Sequence, residues 1–350
     1  MISDQLPSIV PIEDFWSRQA NTQQWSFDFA PFGIPAKITA NEPEVLAAAR
    51  LASGRYSQAP EPNGQAMLIQ LVVGRGSGGH LPHPPNARKG LDDVLERLAH
   101  AGVGEWLTVS AGEWGHGFAN LHTRTACIFL SPTLAGATRL ISRHFIDHYV
   151  TNFIHTEWAM LHASAAADPT GQRLIIMLAP HNTGKSTTAL RLVRAGYNFL
   201  ADGEVMLRLD DRSQRLVVGG YPIGEVKLRD DVLRFFPEYS GEVVRVREQR
   251  KTVINLRTAH PGHVAEELLT PASIQLCCVE RGHTARTQVT PLTVANTLPI
   301  LAANTVYWNE SARLEHNTAA LHTLLRQASL FCLKIGTDTD DLVTTINKLG

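Results

Sequence analysis

The chain has 350 residues, 44% of them hydrophobic and 19% charged, with a formal net charge of −1. That length and composition suit a soluble globular protein with room for two cored domains. The near-zero charge gives no global field to recruit nucleic acid or an anionic membrane.

No apolar run approaches the ~20 residues of a membrane span. The opening Met1-Ile-Ser-Asp-Gln lacks the basic and apolar regions of a signal peptide. The cytoplasm is the expected location, with neither nucleic acid nor membrane as a partner. Cys127, Cys277, Cys278 and Cys332 show no C-x-x-C spacing and are expected to be reduced core residues. Adjacent Cys277 and Cys278 point to opposite faces of a strand.

Residues 1–135 are expected to form a smaller α/β N-terminal domain, an accessory or substrate-gripping module. Met67–Val73, Trp106–Ser110 and Ala126–Leu130 read as strands, and Leu91–Leu98 as a short helix. Between the first strand and that helix, the glycines and prolines that follow Val73 read as a long surface loop.

An amphipathic helix follows. Apolar pairs at Leu140/Ile141, Phe145/Ile146, Tyr149/Val150 and Phe153/Ile154 recur about every four residues. His148, His155 and His162 are seven apart. That spacing sets the first two about 10 Å apart along a helix axis, too far for one zinc ion. They read as surface or interface histidines.

Residues 136–350 carry a second pattern. Leu174–Leu178, Asn198–Ala201, Val205–Leu209, Leu216–Val218, Ile274–Val279 and Leu330–Ile335 are strand candidates. Asp210–Ser213 reads as the turn of a hairpin. Helical patterns recur at Val294–Ala302, Thr318–Ala328 and Thr339–Leu349. A mixed sheet flanked by helices fits this order better than a purely parallel one.

The most informative stretch is Leu174-Ile-Ile-Met-Leu-Ala-Pro-His-Asn-Thr-Gly-Lys-Ser-Thr-Thr-Ala-Leu190. An apolar strand, a short polar loop ending Gly184-Lys185-Ser186, and a helix make a P-loop, the device that cradles nucleoside triphosphate phosphates. Ala179 stands for the usual first glycine. Asn182 stands where many such loops have another, and Asn tolerates left-handed dihedrals. Amides of Asn182, Thr183 and Gly184 are expected to face phosphate oxygens, beside the positive end of the helix dipole. Lys185 is expected to reach the β- and γ-phosphates, Ser186 to ligate Mg²⁺, and Thr187 to donate to the α-phosphate. His181 reads as a packing or exposed residue.

Phosphoryl transfer also needs a base or a metal-orienting carboxylate. Asp202 ends the strand that follows the P-loop helix and is the first candidate; the alternative is that Asp202-Gly203 forms a turn. Glu204 projects to the same face in an extended chain. Arg245, Arg247, Arg250 and Lys251 lie in a mixed-charge stretch. It reads either as a source of a cation for the transferring phosphoryl group or as a solvated strand edge. Lys227, after the Tyr221-Pro222 turn, reads as a cation that approaches the acceptor or the nucleotide, and Arg281 as one near the nucleotide or in a salt bridge at the rim.

Residues 138–350 resemble the HPr kinase/phosphorylase superfamily. The resemblance rests on an ordered set: a helix, Leu161-His162-Ala163-Ser164, the strand and loop ending Gly184-Lys185-Ser186-Thr187, and the helix closed by Arg194-Ala-Gly196. Phe199-Leu-Ala-Asp202, Gly220-Tyr-Pro-Ile223 with Lys227-Leu228, and the closing Leu330-Phe-Cys-Leu-Lys-Ile335 follow. The resemblance implies Mg²⁺-assisted transfer of the ATP γ-phosphate to a hydroxyl, often that of a serine. It implies that His162 lies near the active site, that Asp202 is the general base, and that the protein assembles as a homo-oligomer. The family's second consecutive aspartate is Gly203 here, with Glu204 as the residue able to take over its metal contact. Lys251-Thr-Val-Ile-Asn255 matches the signature of the protein-phosphorylating members poorly.

The reading is therefore an α/β kinase of P-loop type, using ATP and Mg²⁺, with Asp202, Lys185, His162 and Glu204 as catalytic residues. Ser186, Asp202 and Glu204 are the expected metal ligands, and the acceptor is a small molecule or a peptide. Two alternatives stand beside it: a nucleotide-binding sensor that has lost transfer, and a serine kinase acting on the phosphocarrier protein HPr. The guanine-reading Asn-Lys-x-Asp of regulatory GTPases, the Ser-Gly-Gly-Gln signature of ABC-type ATPases, a Ser-His-Asp nucleophile elbow and zinc-ligand spacing are all missing from the sequence.

Overall fold

A computed structural model describes residues 24–59, 64–74, 98–180, 183–246, 249–305 and 311–349. The chain is α/β, with mixed sheets flanked by helices, and divides into two compact units. The division falls after Thr156 rather than at 135/136, and Arg55–Pro60 belongs to the second unit. The expected 74–85 loop and the 91–98 helix lie almost wholly outside the described residues.

The first unit holds a seven-stranded sheet of β1 (Trp25–Phe29), β2 (Ala36–Ala40), β3 (Met67–Val73), β4 (Ala99–Val103), β5 (Trp106–Ser110), β6 (Gly115–Asn120) and β7 (Thr125–Leu130), in the order β1-β2-β3-β7-β6-β5-β4. β2, β3 and β7 run parallel, with α1 (Leu46–Ser53) as the crossover between the first two. The expected amphipathic helix is α2, built of Thr138–Leu140, a π-helical segment Ile141–Ile146, and Asp147–Ile154. It belongs to this unit because its apolar stripe packs here. An added Cβ at Gly117 on β6 would stand 2.8 Å from the Tyr149 hydroxyl, and one at Gly115 would stand 3.3 Å from the Phe145 ring. His155 is buried, not at the surface, and His148 stacks on His100 at 4.3 Å.

The second unit is built on β8 (Ala159–Ala167), β9 (Arg173–Leu178), β10 (Asn198–Leu209), β11 (Leu216–Tyr221), β15 (Ser273–Arg281), β16 (Gln288–Pro291) and β17 (Ala328–Ile335), in the order β11-β10-β8-β9-β15-β17-β16. β9, β15 and β17 are parallel and the other neighbours antiparallel, so the sheet is mixed. β10 and β11 form the expected hairpin. β12 (Glu225–Arg229), β13 (Glu242–Val246) and β14 (Gln249–Asn255) make a small antiparallel sheet.

Both faces of the large sheet are covered, as a sheet with a parallel centre requires. One face packs Met177, Phe199 and Cys277 against α3 (Lys185–Arg194), the small sheet's Val226, Leu228 and Ile254, and Leu342 and Ile346 of α6 (Thr339–Asn347). The other packs Leu161, Leu178, Ala201 and Val205 against Leu301 of α4 (Val294–Ala303) and Leu321 and Leu324 of α5 (Ser311–Gln327). Cys277 and Cys278 do face opposite ways, and all four cysteines are free. Among the described residues no helix is long and apolar enough to cross a membrane.

Candidate active site

β9 is apolar and buried from Leu174 to Leu178, and the chain then leaves the sheet through Ala179 and Pro180. His181 and Asn182 lie outside the described residues. Gly184 caps α3 at φ 117°, ψ 10°, a backbone state that a Cβ strains. Three side chains hold the turn. Thr183 Oγ1 donates to Pro180 O at 3.0 Å, and Thr188 Oγ1 donates to Gly184 O at 2.9 Å. Lys185 Nζ donates to Ala179 O at 2.5 Å and Pro180 O at 3.3 Å.

Lys185 is buried. Burial pushes its ammonium below the ordinary lysine range, Asp202 works against that shift, and Lys251 adds to it. The Asp202 carboxylate and a second cation therefore lie within the electrostatic reach of Lys185. Ser186 and Thr187, in the first turn of α3, are half-buried.

Asp202 does not end a strand. It lies in the middle of the 12-residue β10, which runs through what the sequence reads as two strands. Ala201 and Val205 turn into the α4–α5 core, so alternation sends Asp202 and Glu204 to the α3 face. Ser164, opposite Asp202 on β8, donates its hydroxyl to Asp202 Oδ1 at 2.6 Å. The backbone amide of Lys227 on β12 reaches Oδ2 at 3.4 Å. Glu204 pairs with His162 on β8 and with Tyr221 on β11. The register thus brings Asp202, Glu204 and His162 together on neighbouring strands, with His162 amide-bonded to Asn304 O at 2.7 Å.

The β11–β12 turn that carries Lys227 to Asp202 is braced by Arg55–Ser57. Tyr56 stacks on Tyr221 with ring centroids 4.7 Å apart, and Gly220 N donates to Ser57 Oγ at 2.9 Å. Arg55 Nε lies 3.4 Å from Glu225 Oε1. Sequence reasoning gave none of these three residues a role.

It also gave none to Ser164, although the motif Leu161-His162-Ala163-Ser164 contains it. The sequence offers Lys227 for its side chain, whereas its amide makes the contact with Asp202. Of the four cations at 245–251, Lys251 acts on Lys185. Arg250 is exposed, Arg247 is outside the described residues, and the Arg245 side chain is not described. Among the described residues no three His, Cys, Asp or Glu side chains gather as a metal site.

No family model matches the chain, and no curated protein matches it. Among solved structures, the Hpr(Ser) kinase/phosphatase from Coxiella burnetii aligns with 54% of this chain and 96% of its own, at 11% identity and a TM-score of 0.28. At that score the likeness carries no argument, and the site rests on its own residues.

The arrangement offers a strand–loop–helix turn with a buried ammonium. Opposite it stands a hydrogen-bonded carboxylate with one oxygen only loosely engaged. Such a pairing can hold a polyanion at one end and take a proton from a hydroxyl at the other.

Proposed function

We propose that this chain is a phosphotransferase that moves the γ-phosphate of a nucleoside triphosphate, ATP in the first instance, to a hydroxyl of a small molecule or peptide. The observation that carries the proposal is the Asp202 carboxylate, fixed by Ser164 and the Lys227 amide on the α3 face, within the field of Lys185. Loop amides and Lys185 hold the phosphates, and Asp202 takes the proton of the acceptor hydroxyl. Lys185 exchanges its two carbonyl partners for phosphate oxygens, which are stronger acceptors. Lys251 adds positive charge on the same side.

The oxygen donors of Ser186, Asp202 and Glu204 suit a hard divalent cation such as Mg²⁺. Ser164 occupies Asp202 Oδ1, and the long contact at Oδ2 leaves that oxygen as the ligand. When bound, Mg²⁺ neutralises charge on the transferring phosphoryl group. His162, beside Glu204, borders the same reaction space.

The test is transfer of label from γ-labelled ATP in the presence of Mg²⁺ across a panel of hydroxyl acceptors, peptides included. Label should move with the wild-type chain and cease with Asp202→Asn. Transfer that survives this substitution removes Asp202 from the reaction.

One observation favours a second reading, a nucleotide-binding sensor without transfer. Gly203 separates the two carboxylates at φ 157°, a backbone state that few side chains adopt, so position 203 is suited to glycine and offers no ligand. Tight ATP binding with no transfer to any acceptor would select this reading.

A further inference from the structure

β15 and β17 run parallel, and Cys278 stands directly opposite Cys332 in their register. Two residues on, Glu280 stands opposite Lys334, with the two charged groups 3.8 Å apart. The two cysteines share the α4–α5 face of the sheet. Leu276 and Leu330, two residues before each, pack on that side, whereas Cys277 turns to the α3 side. A cavity of about 780 Å³ is lined by Cys278 and Glu280. Cys332 is half-buried, and Thr290, its partner on the edge strand β16, is exposed. Both thiols are free.

We infer that Cys278 and Cys332 form a redox-active dithiol that closes to a disulfide on reaction with a small-molecule disulfide. Neighbouring strands lie ~4.8 Å apart, inside the ~4.4–6.8 Å Cα separation that a disulfide spans. Parallel side chains stand about as far apart as their strands, and a disulfide needs its Cβ atoms at ~3.8 Å. Closure therefore draws the strands together, and a bond made under such strain is one that thiols readily reduce again. Cys277 on the opposite face and Cys127 in the first unit are fully buried and do not compete.

The exchange balances between the pair and its oxidant. Cys332 Sγ, the less buried sulfur, attacks the small disulfide as a thiolate. That S–S bond breaks, and the leaving thiolate takes up the proton that Cys332 gave up. Cys278 Sγ then attacks the Cys332 sulfur of the mixed disulfide and expels the second small thiol, which takes up the Cys278 proton. The chain loses two electrons and two protons, and the small disulfide gains them. The second step is unimolecular, because the register holds Cys278 beside the mixed disulfide. Burial pushes the Cys278 thiol up to about 11, with the charges of Cys332 and Glu280 adding to it. Burial and then Glu280, by its charge and a hydrogen bond, raise Cys332, and Lys334 opposes them. The pair is thus a resting dithiol at neutral pH and closes faster as pH rises.

The test exposes the folded chain to excess glutathione disulfide at about pH 8.5, near the ordinary thiol value, and alkylates the remaining thiols. Mass spectrometry should find a chain about 2 Da lighter before alkylation, with one peptide pair joined through Cys278 and Cys332, and dithiothreitol should reverse both changes. Recovery of both residues as free thiols, a stable glutathione adduct with no internal link, or a link through Cys277 overturns the inference. Cys332→Ser must abolish the link, and a chain that still loses this mass overturns the assignment. Glu280→Gln should speed closure by about threefold or more, because it removes a carboxylate that disfavours both thiolates. Unchanged or slower closure with Glu280→Gln overturns the shared face on which the dithiol stands.

Discussion

Ser164 and Asp202 face each other across β8 and β10, and the Ser164 hydroxyl donates to Asp202 Oδ1 at 2.6 Å. Ser164 is fully buried, so no water replaces this donor readily. A hydrogen bond to a charged group contributes about 1.5–3 kcal/mol. Ser164→Ala is expected to lower kcat for label transfer by about tenfold to a hundredfold. The Kd for ATP should stay within about twofold, because in the proposed reaction Ser164 orients the Asp202 carboxylate and makes no phosphate contact. Equal losses in kcat and affinity would assign Ser164 to the packing of the site instead.

Lys185 gives the site a pH dependence with a definite sign. Burial holds the free ammonium below the ordinary lysine range, with Asp202 opposing and Lys251 assisting. A bound polyphosphate stabilises the ammonium, so binding takes up a proton once the free lysine has lost its own. Affinity for tripolyphosphate is therefore full below the depressed value and falls as pH rises through it, by at most about tenfold per pH unit. Titrations from neutral pH up to the ordinary lysine value of about 10.4 should show the fall beginning early. A flat profile over that interval contradicts the role given to Lys185.

Lys251 shifts that profile. Lys251→Gln removes a like charge that disfavours the Lys185 ammonium. The fall in affinity should move to higher pH, while affinity at neutral pH drops because one phosphate-facing cation is lost. A lower affinity with no displacement of the profile would show that Lys251 acts on the ligand without coupling to Lys185.

In the first unit, His148 is stacked on His100. Burial, assisted by the His100 charge, holds its imidazole at about 3. The unfolded chain binds that proton near pH 6.5. Between the two values the unfolded state carries more protons, so stability falls as pH drops from about 6.5 towards 3, by up to ~1.4 kcal/mol per pH unit. His148→Phe should flatten this loss in urea unfolding followed across that interval. The same acid dependence in the variant would point to other groups.

Much of the fold was legible. Strands with long apolar runs, Met67–Val73 and Leu174–Leu178, declare themselves because burial on both faces demands such runs. β8 does not: Ala159–Ala167 is buried on both faces but mostly alanine, a helix former with no period-two signal. β10 reads as two strands because Asp202, Gly203 and Glu204 interrupt its apolar pattern. The interruption falls where Asp202 and Glu204 turn to the α3 face rather than into the α4–α5 core. The five-residue step from Leu140/Ile141 to Phe145/Ile146, against four-residue steps afterwards, coincides with the π-helical segment. The seating of α2 on the first sheet depends on contacts between distant segments, which apolar spacing cannot assign to one domain or the other. Lys185, Asp202 and Glu204 stand out in the sequence from a motif and its spacing. Ser164 and the Lys227 amide were not, because their roles come from strand register and a turn in the small sheet.

The most direct measurement is the affinity of Mg²⁺-ATP for the wild-type chain and for Lys185→Ala, by titration calorimetry at neutral pH. The account predicts clear binding by the wild type and a loss of about a hundredfold in the variant, the effect of removing a charge-assisted contact from a buried polyanion site. Equal affinities in the two proteins would contradict it.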